Sequence, residues 1–352
     1  MLCIRPFQRG DIPALVALRR RAFHYSEQAS DQALAAYFQA VFVDWPWADP
    51  SLPSLVSEDE RGRLVGFVGV LPRPMRFRGA LLLRAAATTQ FMVAPDADPL
   101  TAVRLARACL AGPQDLTLAD AANEGARRIW VASGGGTAWA YSLHWQKPIR
   151  PARHAAARWP RGSSAWAALL VVRPLLHVLD ALNAPRPPAG AAEPIDAAAM
   201  AGQFPEITAG RALEPCYEAV GLDWLLQRAA EKTSLGLLER LRVRDPRGEP
   251  AGWFLYYLNP GGVCQVLQVA PRPGAERLVL EHLWYQAWRG GAVALEGRVE
   301  PALLPALADQ GCRLARRGAW MLCASRHPDV ELAIQRGDAF LSRLEGEWWV
   351  NF

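Results

Sequence analysis

RAAATTQFMVAPDADPLTAVRLARACLAGP, residues 84–113, changes its hydrophobic period halfway along. From Arg84 to Val93 the run is apolar, free of Gly and Pro, and closed by Pro95, which reads as a strand. From Leu100 onward, Val103, Leu105, Ala106, Cys109 and Leu110 return at helical spacing and stop at Gly112-Pro113, the expected end of a helix. A strand that feeds directly into an amphipathic helix is the kernel of an α/β unit.

The flanks extend the same pattern. Upstream, residues 2–6 read as a short strand. Asp11 and Pro13 open a helix with Leu15, Leu18 and Ala22 on one face, and residues 31–43 form a second helix. Apolar runs at 55–57 and 64–71, separated by ERGR and PRPMRFRG, join 84–93 in an antiparallel meander. Downstream come a strand at 116–119, a helix at 123–132, a Gly134-Gly135-Gly136 turn and a strand at 139–145. Residues 150–197 are rich in Ala, Pro and Arg and read as a connection with one short helix over 166–182. Beyond it the order recurs, with a helix at 220–230, strands at 237–243, 252–258 and 263–269, and a helix at 275–288. A strand at 292–295, a helix at 301–310 and a strand at 320–324 complete the second half. A length of 352 residues suits two domains, and repetition of the element order divides them as 1–149, a linker 150–197, and 198–352.

Composition sets the class. The chain is 51% apolar and 21% charged, as folded globular proteins are. Its net charge of +5 comes from arginines scattered along the sequence, such as Arg19, Arg20, Arg21, Arg127, Arg128, Arg316 and Arg317, with no basic stripe interleaved with aromatics. Nucleic acid is therefore not the expected partner, whereas a small anionic ligand suits the field. The cysteines (Cys3, Cys109, Cys216, Cys264, Cys312, Cys323) are far apart and show no metal-ligand spacing, so no metal is expected and the thiols read as reduced. No signal-peptide core and no 18-residue apolar run occurs, giving the expectation of a cytoplasmic protein without a membrane span. No histidine stands in a nucleophile motif, and the glycine triplet lacks the Lys and Ser/Thr of a phosphate loop. The tail GDAFLSRLEGEWWVNF, with Phe340, Leu341, Leu344, Trp348, Trp349 and Phe352 around Arg343, Glu345 and Glu347, reads as a docked strand or domain seam.

The run QFMVAP leading into a helix resembles the fourth strand and third helix of the GNAT superfamily of acyl-CoA-dependent N-acyltransferases. In that family a strand ending V-x-P splays from its neighbour and receives the pantetheine arm, and a Gly-rich turn at the helix start holds the pyrophosphate. Here Asp96, Asp98 and Pro99 replace the spaced glycines, so Asp98 reads as a helix cap with Pro99 at the first position. A second family mark, an Asn followed by a Tyr and a Gly, aligns with Asn123 and Gly134, but Trp130 occupies the Tyr position. An indole N–H donates a hydrogen bond and is no general acid, so Trp130 reads as packing. VLQVAP (266–271) with Arg272 and Gly274 repeats the strand and turn in the second half.

The resemblance implies two GNAT-like α/β domains, each a mixed, mostly antiparallel twisted sheet flanked by helices. It further implies an N-acyltransferase that moves an acyl group from acetyl-CoA or another acyl-CoA to a small-molecule amine. The cofactor would lie on Phe91, Met92, Val93, Thr101 and Ala102 in the first half and on Arg272 and Gly274 in the second. Catalytic residues are not assigned by the motifs; Asp120, Glu124, Glu296 and Glu300 are the carboxylates near strand ends. The alternative is a catalytically silent GNAT-fold module that binds a ligand or a protein. The two differ in the groove beside 90–93 and 268–271: an open splay suits the enzyme, and one plugged by Trp or Arg suits the module.

Overall fold

The computed structural model describes residues 3–23, 29–156, 174–182 and 184–347. Trp348, Trp349 and Phe352 of the tail, and the first part of the helix expected over 166–182, lie outside these. In chain order the strands are β1 (Cys3–Pro6), β2 (Leu55–Glu58), β3 (Leu64–Phe77), β4 (Leu81–Val93), β5 (Leu116–Ala122), β6 (Gly136–Thr137) and β7 (Leu143–Pro148). They continue with β8 (Ala191–Pro194), β9 (Leu213–Pro215), β10 (Leu237–Arg244), β11 (Pro250–Leu258), β12 (Val263–Pro271), β13 (Ala294–Arg298), β14 (Arg313–Arg316) and β15 (Trp320–Ser325).

The first sheet has the order β1-β2-β3-β4-β5-β15-β6, with β9 also paired to β3. All its pairs are antiparallel except β4 with β5, which are parallel. Parallel neighbours need a crossover, and the helix Thr101–Leu110 supplies it. Helices Ile12–Ala22 and Asp31–Phe42 bury Leu15, Leu18, Leu34 and Phe38 completely. Ser30 caps the second of these, accepting the Ala33 amide at 3.1 Å. The second sheet, β14-β7-β13-β12-β11-β10-β8, repeats the scheme, with β12 and β13 parallel and joined by the helix Glu276–Arg289. The expected fold class, mixed sheets flanked by helices, is the one found.

By their contacts the residues form two compact units that interleave along the chain. One comprises Met1–Ser142, Arg211–Tyr217 and Gly318–Phe352; the other comprises Leu143–Gly210 and Glu218–Arg317. These differ from the linear division 1–149, 150–197, 198–352, because two strands are exchanged. The strand expected over 139–145 is instead a 3-10 turn, Ala140–Ser142, followed by β7, which pairs β13 and β14. The strand expected to end the second half, β15, pairs β5 and β6. The linker also holds β8, and the helix Ala197–Ile207, capped by Asp196 on the Ala199 amide at 2.8 Å, begins at its last residue. PRPMRFRG belongs to β3 rather than to a loop. Pro72 and Pro74 are tolerated because the other side of β3 is unpaired there, between β2 (to Val68) and β9 (from Met75).

Candidate functional site

β4 and β5 pair over only three residues each, Ala85–Ala87 with Leu116–Leu118. Thr88 Oγ1 still reaches the Leu118 carbonyl at 3.1 Å, and beyond that point the strands part. The cause lies in β4. Phe67 pairs with Met92 and Gly69 with Thr89, so Gln90 and Phe91 together face the single Val68, a β-bulge. Gln90 takes a left-handed backbone, φ +50°, which few non-glycine residues adopt. Its buried side chain is fixed at both ends, with Oε1 accepting from Arg19 Nη1 and Nε2 donating to the Tyr37 hydroxyl at 3.3 Å.

The splay opens a cavity of about 350 Å³. Thr88, Thr89, Gln90 and Phe91 line it from β4, and Ala119, Ala121 and Ala122 from β5. Ala126, Ile129 and Trp130 of the helix Glu124–Ala132 form another wall, Ala106 and Cys109 a third, and Arg19, Phe23 and Glu347 complete the lining. Alanines along β5 and the helix leave the trough open, since a bulky side chain at these positions would project into it. Burial pushes the Cys109 thiol up to about 12, so it is a neutral wall group rather than a nucleophile.

One end of the cavity is acidic. Glu347 Oε1 accepts the Asp120 amide at 2.5 Å, and Asp120 Oδ1 accepts the Glu347 amide at 2.9 Å. Gly346 permits this approach, because a Cβ there would sit 1.6 Å from Asp120 Oδ2. Burial first, and the adjacent Asp120 charge second, hold the Glu347 carboxyl well above the usual carboxylate range. Buried Arg73 of β3 fastens the same turn by donating to the Leu344 and Gly346 carbonyls at 3.1 and 3.4 Å. Glu345 accepts the Ser342 amide at 2.6 Å and the Tyr217 hydroxyl. The tail is thus docked by buried polar groups as well as by apolar ones.

Of the residues singled out in the first half, Phe91 lines the cavity, while Met92 is buried and Val93 half-buried in the strand beyond the bulge. Thr101 is fully buried with its methyl beside Gly66, and Ala102 is half-buried in the first helical turn. The helix starts at Thr101 rather than at Pro99. Asp98 Oδ1 accepts the Leu100 amide at 2.8 Å, an Asx turn that leads into the helix, whose regular part begins two residues after its expected start. Three guanidiniums surround the two carboxylates: Arg21 and Arg63 lie 3.5 and 3.7 Å from Asp96, and Arg104 lies 3.4 Å from Asp98. Asn123 caps its helix through the Ala126 amide at 2.8 Å, and Trp130 Nε1 donates to the Cys323 carbonyl at 3.2 Å, as packing requires.

The second half differs. β12 carries a matching bulge at Leu267, between the pairs Leu255–Gln268 and Tyr256–Val266. Trp145, Val266, Val269, Leu283, Trp284 and Leu295 there form one buried core cluster, with the two indoles edge to face at 5.4 Å. Gln268 is bound by Trp253 Nε1 at 2.7 Å. Arg272 donates to the Pro250 carbonyl at 2.8 Å and faces Glu206 at 3.5 Å, and the Gly274 amide donates to Glu276 at 3.1 Å. Among the other carboxylates, Glu124 is held by Arg127 and Arg128 and lowered to about 2, and Glu296 pairs Arg317 at 2.5 Å. No group of side chains among the described residues has the makings of a metal site.

Sequence reasoning named Asp120 as one carboxylate among several; the parts played by Gln90, Arg19, Arg73 and Glu347 were missed. The available signal was Arg343, Glu345 and Glu347 set within an apolar tail, since charges in such a run must be paired to be buried.

No family model and no curated protein matches the chain. Solved structures do. A GCN5-related N-acetyltransferase from Anabaena variabilis is 12% identical with a TM-score of 0.59, and a probable N-acyltransferase from Enterococcus faecalis is 12% identical with a TM-score of 0.58. Each alignment covers 92% of this chain and 72% of the other. An N-myristoyltransferase from Saccharomyces cerevisiae, solved with bound myristoyl-CoA and inhibitors, is 12% identical over 97% of this chain and 87% of its own, with a TM-score of 0.51. At that identity the likeness is one of fold: the chain has the GNAT fold across nearly its whole length.

Proposed function

We propose that the protein is an N-acyltransferase that takes an acyl group from acetyl-CoA or a longer acyl-CoA and places it on a small-molecule amine, using the first sheet alone. The observation that supports this most is the open, alanine-lined cavity at the β4–β5 splay, where Gln90 forces the strands apart. We read the two sheets as diverged copies of one domain, on their shared strand order and matching bulges. The second copy keeps the bulge while Trp145 and Trp284 belong to a filled core.

The residues fit a thioester arm. Phe91, Met92 and Val93 leave the ladder with β5 and offer main-chain groups along the groove, and the apolar trough suits an acyl chain. Thr101 and Ala102 begin the helix beside it, and Arg21, Arg63 and Arg104 offset Asp96 and Asp98 for an anionic end. When bound, acyl-CoA supplies an activated carbonyl. Attack by an amine joins nitrogen to that carbon and breaks the carbon–sulfur bond, leaving one proton to be removed from nitrogen and one to be given to sulfur. In this reading Glu347, which lines the cavity and keeps its proton to higher pH than a free glutamate, donates to sulfur and then, as a carboxylate, accepts from nitrogen. The low-dielectric trough strengthens such transfers, and positioning of the two reactants contributes further.

Release of free thiol from acetyl-CoA and from a long-chain acyl-CoA, measured against a panel of primary amines, tests the proposal. Amine-dependent release that falls in Glu347→Gln supports it. Binding of thioester without release from any amine would instead support the silent module, a reading motivated by the carboxylates Asp96 and Asp98 at the helix start.

A further inference from the structure

The cavity wall changes character from one face of the first sheet to the other. Successive side chains of a strand point to opposite faces, so the sheet itself separates Ala119 from Asp120 on β5. Asp120 meets Glu347, while Ala119 pairs with Leu322 of β15 and clusters with it and with Trp130. The helices Thr101–Leu110 and Glu124–Ala132 pack against each other, and the first brings Cys109 into a cluster with Val68 of β3. Val68, Cys109, Ala119, Ile129, Trp130 and Leu322 all line the cavity, which therefore extends beneath both helices.

This chamber offers an incoming group nothing to bond. Trp130 Nε1 already donates to the Cys323 carbonyl at 3.2 Å, the Cys109 thiol is neutral, and the other four side chains are hydrocarbon. The amides of a pantetheine arm would lose their bonds to water there without replacement, whereas a methylene gains by leaving water. Main-chain groups that could serve such amides lie instead on β4, beyond the point where its ladder with β5 stops. The chamber is also long. Its lining runs from β3 through β4 and β5 to β15, and neighbouring strands lie about 4.8 Å apart, giving about 14 Å across the three intervals.

We propose that the chamber holds the hydrocarbon of a medium-chain acyl group, so that the donor's preferred chain is about ten carbons long and acetyl leaves most of the space empty. The inference deepens the acyltransferase reading and rests on it: the thioester lies at the splay beside Glu347, and the chain runs from there beneath the helices. Ala126 and Ile129, half-buried and one turn apart on the helix Glu124–Ala132, limit how far the chain reaches.

Calorimetric titration of the full chain with acetyl-, butyryl-, octanoyl-, decanoyl- and palmitoyl-CoA tests it, together with amine-dependent release of thiol from each. The expected Kd falls by about two- to fourfold per added methylene as far as about decanoyl and no further, the fold-change that burial of a methylene gives. Ile129→Ala moves the break to a longer chain and Ala126→Leu to a shorter one, each by about one to three carbons, with the fold retained by circular dichroism. The wild-type series alone decides the matter where a variant does not fold. Affinity indifferent to chain length, or a break that neither folded variant moves, would overturn the chamber, and amine-dependent release would then still support acyl transfer. Chain-length-dependent binding without release from any amine would keep the chamber and remove the transfer reading.

Discussion

Asp120 and Glu347, 227 residues apart, exchange main-chain hydrogen bonds: each carboxylate accepts the other residue's amide, at 2.9 and 2.5 Å. The exchange seats the segment up to Glu347 against β5 where the strands part, and it puts Glu347 into the cavity wall. Burial, and the Asp120 charge beside it, hold the Glu347 carboxyl well above the usual carboxylate range, so Glu347 keeps a proton to higher pH than a free glutamate does. In the proposed reaction that proton is the chemical resource of the site.

Glu347→Gln removes it. Amine-dependent thiol release is expected to fall by roughly 10²- to 10⁴-fold, the usual contribution of a positioned proton-transfer group. Binding of the acyl-CoA should change little, because the amide fills the same space. Comparison of turnover with thioester affinity in the two proteins is the check.

The same proton sets a pH dependence of stability. Glu347 holds its proton to higher pH in the folded chain than in the unfolded one, so above the unfolded pKa the unfolded chain has released a proton that the folded chain retains. The wild type therefore loses stability as pH rises from the unfolded pKa, about 4.3, towards the folded pKa, at no more than about 1.4 kcal/mol per pH unit. Denaturant unfolding of the wild type and Glu347→Gln across this window should show a shallower loss in the variant. Parallel curves would remove Glu347 from the account.

Gly346→Ala tests the close approach. Its Cβ would overlap Asp120 Oδ2 at 1.6 Å, against a turn already tied down by Arg73, so the tail must shift. A loss of about 1–3 kcal/mol is expected in equilibrium unfolding, with loss of turnover larger than the stability change alone explains.

Gln90 sits at φ +50°, where a β-branched side chain is strained and glycine is not. Gln90→Val and Gln90→Gly lose the same contacts to Arg19 and Tyr37. Their difference in unfolding free energy isolates the backbone, with the valine variant expected to be less stable by about 1–3 kcal/mol. Equal stabilities would mean that the bulge is not fixed at Gln90.

Much of this was legible before any coordinates. The period change between Val93 and Leu100 marks β4 and its helix, because strands and helices bury side chains at different spacings. Trp130 as packing followed from its chemistry alone. What sequence could not show was non-local. Leu143–Pro148 and Trp320–Ser325 have the local pattern of strands wherever they pair, and nothing in either run states which sheet will receive it. PRPMRFRG looked like a loop because proline lacks a donor, and only the unpaired side of β3 makes Pro72 and Pro74 acceptable there. Glu347 was invisible as a site residue for a related reason: its partner, Asp120, lies 227 residues away in the sequence.

The most direct measurement is calorimetric titration of acetyl-CoA and a long-chain acyl-CoA into the wild type, Ala126→Trp and Arg272→Glu. Ala126→Trp fills the cavity of the first sheet, and Arg272→Glu reverses charge at the turn of the second. The account predicts binding by the wild type and Arg272→Glu, and its loss in Ala126→Trp with the fold retained by circular dichroism. Binding that survives Ala126→Trp and disappears in Arg272→Glu, or no binding by the wild type to either thioester, would contradict it.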